Sequence, residues 1–135
     1  MSLFRKPTGR ILVVDDEPLI LEMTSEFLKD AGFEAITATS SSEALKCIAE
    51  KPVDAVLLDI RMPGEDGLSA LPKLRAAQPG VPVIMLTGAG YNETLMQDAL
   101  KAGASGFVSK ETEMENVILA VKRALKQARG EGERK

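Results

Sequence analysis

Four apolar segments of this chain each run into a polar residue, and this pattern limits the folds that it can adopt. The apolar segments are residues 11–14, 56–58, 83–86 and 107–109, and the polar residues at their ends are Asp15 and Asp16, Asp59, Thr87, and Lys110. If the segments are parallel strands of one sheet, their carboxyl ends meet at one edge. Ligands of open α/β sheets bind in the crevice beyond that edge. The sequence therefore predicts one site with three carboxylates, a hydroxyl and an ammonium.

Five strand-like stretches alternate with five helical patterns along the chain. We predict strands over residues 10–14, 34–38, 53–58, 82–86 and 106–109. Alternation of this kind with short loops is typical of a doubly wound parallel sheet. The second stretch is partly polar and the fifth is short, so we expect both at the edges of the sheet, which favours the strand order 2-1-3-4-5. The expected fold is an α/β three-layer, flavodoxin-like domain over residues 9–128, with flexible termini at 1–8 and 129–135.

Local signals mark where several of the helices begin and end. Pro18 suits a first helical turn, and Gly32 is placed to end the same helix. The apolar residues that recur at helical spacing between them are Leu19, Ile20, Met23, Phe27 and Leu28. Two capping-box patterns, Ser40 with Glu43 and Thr112 with Glu115, predict the starts of the second and fifth helices. Pro72 lies inside the third helical pattern, where it is expected to kink the helix or delay its regular part.

Composition excludes several classes of function. The chain has 135 residues and no histidine, which removes Ser-His-Asp and Cys-His catalysis and imidazole zinc sites. Its net charge of −3 argues against direct nucleic-acid binding. No apolar stretch approaches the roughly 18 residues of a membrane span, and no secretory signal is visible. Cys47 is the single cysteine, so we expect no intrachain disulfide and a cytoplasmic setting.

The predicted edge has the chemistry of a metal and phosphate site. Two like charges at about 4 Å repel by about 4 kcal/mol near a protein surface, so Asp15, Asp16 and Asp59 would strain the fold without a cation. Ligands that are all oxygen suit Mg²⁺, with Mn²⁺ as a substitute. Asp59 is the best candidate nucleophile, because a carboxylate can attack phosphorus and form an aspartyl phosphate. Lys110 supplies a cation and Thr87 a hydroxyl for phosphate oxygens.

Each of these residues also has a purely structural interpretation. Asp15 and Asp16 could cap the first helix, as acids after a strand often do. Lys110 could be a solvated surface lysine, and Thr87 could cap the fourth helix. The functional interpretation depends on all of them occurring together at strand ends.

The same residues resemble a known family, the receiver domains of bacterial two-component response regulators. The matching segments are ILVVDDE at 11–17, LDIRMPG at 58–64 with DGL at 66–68, LTGA at 86–89, and GASGFVSK at 103–110. The resemblance extends from about residue 9 to 127 and keeps these segments in the family's order. It implies a phosphorylation-dependent signalling switch whose only reactions are self-phosphorylation and slow self-dephosphorylation.

The resemblance also implies a metal-binding set. Asp16 would bind Mg²⁺ directly and Asp15 mainly through water. Asp59 and the backbone carbonyl of Arg61 would complete the protein ligands.

Phosphoryl transfer and switching are implied for a second set of residues. Asp59 would accept the phosphoryl group from a sensor histidine kinase or a phosphotransfer protein, and Lys110 would bind the phosphate. Thr87 and Phe107 would form the switch pair that changes the surface of the fourth helix, fifth strand and fifth helix, including in a homodimer formed on activation. The family usually has a proline in a cis peptide after the lysine. This chain has Glu111, so we expect a local rearrangement there.

Two other functions fit parts of the pattern. An aspartate-nucleophile phosphohydrolase carries its nucleophile after the first strand in an Asp-x-Asp pattern, whereas this chain has adjacent Asp15 and Asp16. An interaction module on the same fold that is never phosphorylated is the second alternative, and Glu111 is the departure that favours it.

Overall fold

A five-stranded parallel sheet forms the centre of the molecule. The computed structural model describes residues 8–62, 65–88, 93–110 and 112–130. The strands are β1 (Arg10–Val14), β2 (Glu34–Ala38), β3 (Ala55–Asp59), β4 (Val83–Thr87) and β5 (Gly106–Ser109). They pair in the order β2-β1-β3-β4-β5 and all four pairings are parallel. The predicted doubly wound sheet and its 2-1-3-4-5 order are confirmed.

Helices cover both faces of this sheet. They are α1 (Pro18–Asp30), α2 (Ser41–Glu50), α3 (Gly67–Ala77), α4 (Glu93–Lys101) and α5 (Met114–Ala128). The buried residues of α1 and α5 pack on one face of the sheet, and those of α2, α3 and α4 pack on the other. Within the described residues, no helix has the length and apolar character that a bilayer crossing demands.

The central strands are buried on both faces because the sheet is a middle layer. Every residue of β3 and β4 is buried, which accounts for their almost uninterrupted apolar sequences. The two strands differ from the prediction at their ends, since Asp59 and Thr87 are the last residues of β3 and β4. The backbone N–H of Ile60 still donates to the carbonyl of Leu86 at 2.8 Å. The two polar side chains therefore belong to the sheet rather than to the loops that follow it.

Helix α1 presents a different face to the sheet from the one we predicted. Pro18 is its first residue, as expected. The residues that it buries are Leu21, Thr24 and Leu28, whereas three residues of the predicted apolar stripe are 68%, 44% and 40% exposed: Leu19, Met23 and Phe27. Leu21, Thr24 and Leu28 are spaced i, i+3 and i+7, which is also one helical face. The helix therefore has two overlapping stripes that could pack on the sheet. The small side chain of Thr24 belongs to the face that packs on the strands.

The predicted boundaries of the first three helices hold, with two differences in detail. Gly32 follows the end of α1 with a φ of 94°, a left-handed conformation that favours glycine. The hydroxyl of Ser40 accepts from the N–H of Glu43 at 3.1 Å, so this cap is confirmed. The Glu43 carboxylate reaches back to the N–H of Thr39 at 2.6 Å rather than to Ser40. Helix α3 begins at Gly67 and continues through Pro72, so a delay of its regular part is wrong. The alternative, a kink at Pro72, stays a prediction.

The predicted capping box of α5 is wrong. The N-cap residue is Glu113, which makes no side-chain capping bond. The Thr112 hydroxyl instead accepts from Nδ2 of Asn116 at 2.7 Å. The N–H of Thr112 donates to the carbonyl of Ser109 at 3.2 Å. This backbone bond holds Thr112 in the turn after β5, one residue before the N-cap position that Glu113 occupies.

Gly67 joins α3 to the end of β3 at a contact that leaves no room for a side chain. A Cβ atom on Gly67 would lie 2.3 Å from the carbonyl oxygen of Asp59 and 2.7 Å from the Cα of Ile60. The N–H of Gly67 donates to the carbonyl of Ile60 at 2.9 Å. Between these two points along the chain, Arg61–Met62 pairs with Glu65–Asp66 in a two-residue antiparallel ladder. The contact fixes the backbone that carries the Asp59 side chain.

We predict that Gly67→Ala destabilises the fold strongly, by about 3 kcal/mol or more, because two backbone groups would have to move. Thermal or urea unfolding would measure the loss. Gly80→Ala is a useful comparison, since a Cβ at Gly80 meets nothing within 4 Å, although its φ of 85° adds strain of its own. A Gly67→Ala variant no less stable than Gly80→Ala would contradict the steric argument.

Candidate functional site

The predicted polar residues meet at the carboxyl ends of four strands. Asp15 and Asp16 directly follow β1, Asp59 ends β3, Thr87 ends β4, and Lys110 directly follows β5. Asp15, Asp59 and Thr87 are 0%, 3% and 0% exposed. Polar groups are rarely buried to this extent without partners or a function. The predicted pocket at this edge of the sheet is therefore present.

Lys110 connects the ends of three strands. Its ammonium Nζ lies 2.7 Å from Oδ2 of Asp15 and 3.2 Å from Oδ2 of Asp59. The same atom lies 3.5 Å from Oε1 of Glu17. Its backbone N–H donates to the carbonyl of Thr87 at 2.7 Å and extends the pairing of β4 with β5. The Lys110 side chain is 15% exposed, so its interpretation as a solvated surface lysine is wrong.

Backbone donors orient the two buried carboxylates. Oδ1 of Asp15 accepts from the N–H of Glu17 at 3.0 Å, and Oδ1 of Asp59 accepts from the N–H of Arg61 at 3.2 Å. Each carboxylate thus turns its other oxygen toward the pocket. The N-cap of α1 is Glu17, so the interpretation of Asp15 and Asp16 as helix caps is wrong. Thr87 lies inside β4, which also excludes it as the cap of α4.

The three aspartates form an acidic pocket that is compatible with a divalent metal ion. Asp15, Asp16 and Asp59 each offer an oxygen, and these atoms all lie within 4.8 Å of one another. Oδ2 of Asp15 is buried, and the partner described for it is the Lys110 ammonium at 2.7 Å. A hard cation would satisfy such oxygens, and an all-oxygen set matches Mg²⁺ or Mn²⁺ better than softer metals. The use of the Arg61 carbonyl as a further ligand stays a prediction.

The pocket perturbs the ionisation of Asp59 and Lys110. Burial raises the pKa of Asp59, the bond from the Arg61 N–H lowers it, and the charge of Asp15 raises it again. The Lys110 ammonium only partly offsets this, and the pKa of Asp59 stays above its usual value. Burial alone would lower the pKa of Lys110, but hydrogen bonding and charge from Asp15 and Asp59 raise it. Lys110 therefore stays cationic while the carboxylates compete for it.

Phe107 lies outside this pocket, in the edge strand β5. It pairs with Met85 of β4 and is half-buried. Its side chain packs against the core under α4 together with Leu95 and Ala104. A groove of about 500 Å³ runs between β5 and α5, and Phe107 is among its lining residues. The ring thus lies at the surface formed by α4, β5 and α5, and its role in a switch stays a prediction.

Several predictions fall outside the described residues. The flexible termini fall there in part, since residues 1–7 and 131–135 are not described. Residues 63–64 and 89–92 are likewise outside. The peptide between Lys110 and Glu111 is outside as well, and its geometry stays a prediction. Near the two ends of the described chain, Nη2 of Arg129 donates to the carbonyl of Thr8 at 3.0 Å.

Sequence reasoning missed the roles of Glu17 and Gly67. Glu17 contacts Lys110, and this contact spans 93 positions in the chain. Its position directly after Asp15 and Asp16 was the available signal. The requirement for glycine at position 67 depends on the path of the Asp59 backbone, which no local pattern reveals.

Curated relatives of the chain are bacterial regulators. It is 40% identical over 116 residues to a putative NtrX-like response regulator of Rickettsia bellii, covering 84% of this chain and 24% of that protein. It is 37% identical to the probable transcriptional regulatory protein TcrX of Mycobacterium tuberculosis, covering 87% of this chain and 50% of that protein. The chain thus spans between a quarter and a half of the length of these relatives.

Solved structures agree with the fold over nearly the whole chain. A CheY-like response regulator receiver domain protein of Methanospirillum hungatei superposes with a TM-score of 0.83 at 30% identity, covering 95% of this chain and all of that one. The receiver domain of NtrX from Brucella abortus gives 0.80 at 37% identity, covering 86% and 98%. Both are receiver domains of the same length class as this chain.

The family model for the response regulator receiver domain matches residues 11–122, from β1 into α5. This span includes every residue of the acidic pocket and the lysine that bridges it. The family is a signalling module of two-component systems rather than a classical enzyme, and it implies a histidine kinase as partner. The chain belongs to the response regulator receiver domain family.

Proposed function

We propose that Asp59 accepts a phosphoryl group from a phosphohistidine on a partner histidine kinase or phosphotransfer protein. The observation that carries this proposal is the contact of Asp59 with Lys110 at 3.2 Å inside a cluster of three aspartates. An Asp59 oxygen would attack phosphorus while the phosphorus–nitrogen bond breaks, and the departing imidazole would take up a proton. Slow attack of water on the acyl phosphate would return the resting state. A cytoplasmic setting remains part of this proposal.

The charges of the pocket support in-line transfer to this oxygen. Phosphoryl transfer depends mainly on positioning and on stabilising the charge of the transferred group. The Thr87 carbonyl and Asp15 hold Lys110 in place. Lys110 would bind a phosphoryl oxygen once Asp59 is phosphorylated. The N–H of Arg61 would keep Asp59 turned toward the pocket.

We further propose that Asp15, Asp16 and Asp59 hold Mg²⁺, with Mn²⁺ able to replace it. The ion would neutralise the crowded carboxylates and the incoming phosphoryl oxygens. Asp16 would contact it directly and Asp15 mainly through water, with the Arg61 carbonyl as a further ligand. Support comes from the donor set, which offers only oxygen and whose carboxylate oxygens all lie within 4.8 Å of one another.

Thr87 and Phe107 are the proposed switch. Thr87 ends the strand beside Asp59, since Asp59 pairs with Leu86. Its hydroxyl would turn toward the phosphoryl group, and the half-buried ring of Phe107 would then move inward. The surface of α4, β5 and α5 would change as a result and could pair with a second copy.

Asp59→Asn should abolish phosphorylation by acetyl phosphate with Mg²⁺, because the amide lacks the nucleophilic oxygen. Intact-protein mass spectrometry would follow the added phosphoryl group. Asp30→Asn is the matched control, since it makes the same change at an exposed position of α1. Phosphorylation that persists in Asp59→Asn and is lost in a different aspartate variant would place the acceptor elsewhere.

Without metal, Asp59→Asn should stabilise the fold at neutral pH, because it removes a buried negative charge. The raised pKa of Asp59 means that its ionised form costs stability above that pKa and costs nothing when both states are protonated. The gain should therefore shrink as pH falls through the raised pKa of Asp59, and it should be gone below the ordinary aspartate value of about 3.9. Thermal unfolding across pH would measure it.

Asp16→Asn should also increase the stability of the metal-free fold, because it removes one of the crowded negative charges. Added Mg²⁺ should stabilise the wild type and should have less effect on either variant. Equal responses of the wild type and the variants to Mg²⁺ would contradict the proposed metal set.

Thr87→Ala should keep phosphorylation by acetyl phosphate within about ten-fold but lose the change at the α4, β5 and α5 surface, because the alanine cannot contact the phosphoryl group. NMR amide shifts with and without beryllofluoride would report the change. A Thr87→Ala spectrum that responds like the wild type in β5 and α5 would contradict the switch.

A further inference from the structure

We propose that Glu17 sets the donor specificity of the pocket, disfavouring small, highly charged acyl phosphates relative to phosphorus–nitrogen donors that carry less negative charge. This proposal rests on the proposed function and adds a specificity-determining residue to it. It is carried by the contact between Glu17 and Lys110 and by the balance of charge at the pocket.

Glu17 is placed at the mouth of the pocket rather than within its buried part. Its Oε1 lies 3.5 Å from Nζ of Lys110, and 60% of its side chain is exposed. The residue is the N-cap of α1, but its side chain makes no capping hydrogen bond. Its backbone N–H holds Oδ1 of Asp15 at 3.0 Å. The backbone of Glu17 therefore has a structural role, while the contact described for its carboxylate is with Lys110.

The carboxylate of Glu17 determines the formal charge of the site. Four carboxylates, those of Asp15, Asp16, Asp59 and Glu17, surround one ammonium, which leaves three negative charges. A bound divalent cation reduces this to one. Neutralising Glu17 alone would bring the loaded site to zero. An incoming anion therefore meets a net repulsion that Glu17 supplies.

The exposed position of Glu17 makes this repulsion act on approach. Charged groups that line a cleft raise or lower the local concentration of charged ligands, and salt weakens the effect. A dianionic donor should be repelled more than a donor with less net charge. Phosphoramidate is of the second kind, because its nitrogen is protonated at neutral pH and offsets one of the two phosphoryl charges. Glu17 would thus favour phosphoramidate over acyl phosphates.

The test compares acetyl phosphate with phosphoramidate as donors to the Mg²⁺-loaded protein. Glu17→Gln should increase the phosphorylation rate constant with acetyl phosphate by about two- to five-fold and change that with phosphoramidate by less than about two-fold. Glu17→Lys should increase the ratio of the two rate constants further. The gain should diminish as ionic strength rises through about 0.15 M, where the Debye length is about 8 Å.

Glu26→Gln is the matched control. It makes the same charge change on the exposed side of α1, nine residues further along, which is about 14 Å along a helix axis. In the metal-free protein, NMR signals of the Lys110 side chain should shift in Glu17→Gln and not in Glu26→Gln. This measurement reports the contact without any phosphorylation.

Each outcome bears on the proposal in a definite way. A wild type that neither donor phosphorylates contradicts the proposed function itself. If the wild type is phosphorylated but Glu17→Gln matches Glu26→Gln, only the role of Glu17 is overturned. Equal acceleration with both donors, or acceleration that does not depend on salt, would also overturn it, because it would indicate an indirect effect on pocket geometry.

Discussion

The ion pairs of Lys110 are the interaction on which the functional site depends. One ammonium follows the edge strand β5 and contacts carboxylates that belong to β1 and β3, so three strands converge on a single charge. Two buried aspartates without this cation would repel one another in a region of low dielectric constant. Lys110 offsets part of that repulsion, and its own backbone is bound to β4. The crowded acids are therefore tolerated because the sheet brings their counter-charge to the same edge.

Lys110 offsets only part of the negative charge of the pocket, so the pocket favours the binding of a further cation. Burial and the neighbouring Asp15 keep the pKa of Asp59 raised despite the ammonium. A divalent cation would relieve this cost by neutralising the crowded carboxylates. The resting fold carries an electrostatic cost that cation binding would remove. Sites of function often carry such a cost.

Much of the architecture could be predicted from the sequence because apolar strands that end in a polar residue form a strong local pattern. Apolar runs that end in Asp59, Thr87 and Lys110 indicate both the sheet and the shared edge, and β3 and β4 are buried as their composition suggested. The sheet order followed from the polarity of β2 and the length of β5. These inferences need only the direction of the strands, which right-handed crossovers constrain.

The remaining features depend on three-dimensional contacts that no local pattern contains. Helix α1 has two candidate apolar faces, and the sheet selects the one with Thr24 rather than the one with Met23. Thr112 has the chemistry of a cap, but its backbone bond to Ser109 keeps it in the preceding turn. Gly67 packs against the backbone carbonyl of Asp59, and the Glu17 carboxylate contacts the ammonium of Lys110. Such roles can be read only when both partners are placed.

The position of Asp59 and Thr87 as the final members of β3 and β4 has a mechanical consequence. Their backbones are held in the central layer, with Ile60 bonded to Leu86 just beyond them. The proposed phosphorylation of Asp59 would therefore take place on a backbone that is held at the middle of the molecule. A displacement that reports it would occur in the helices and in the edge strand β5, and the central strands β3 and β4 would serve as the stationary frame against which a partner senses that displacement.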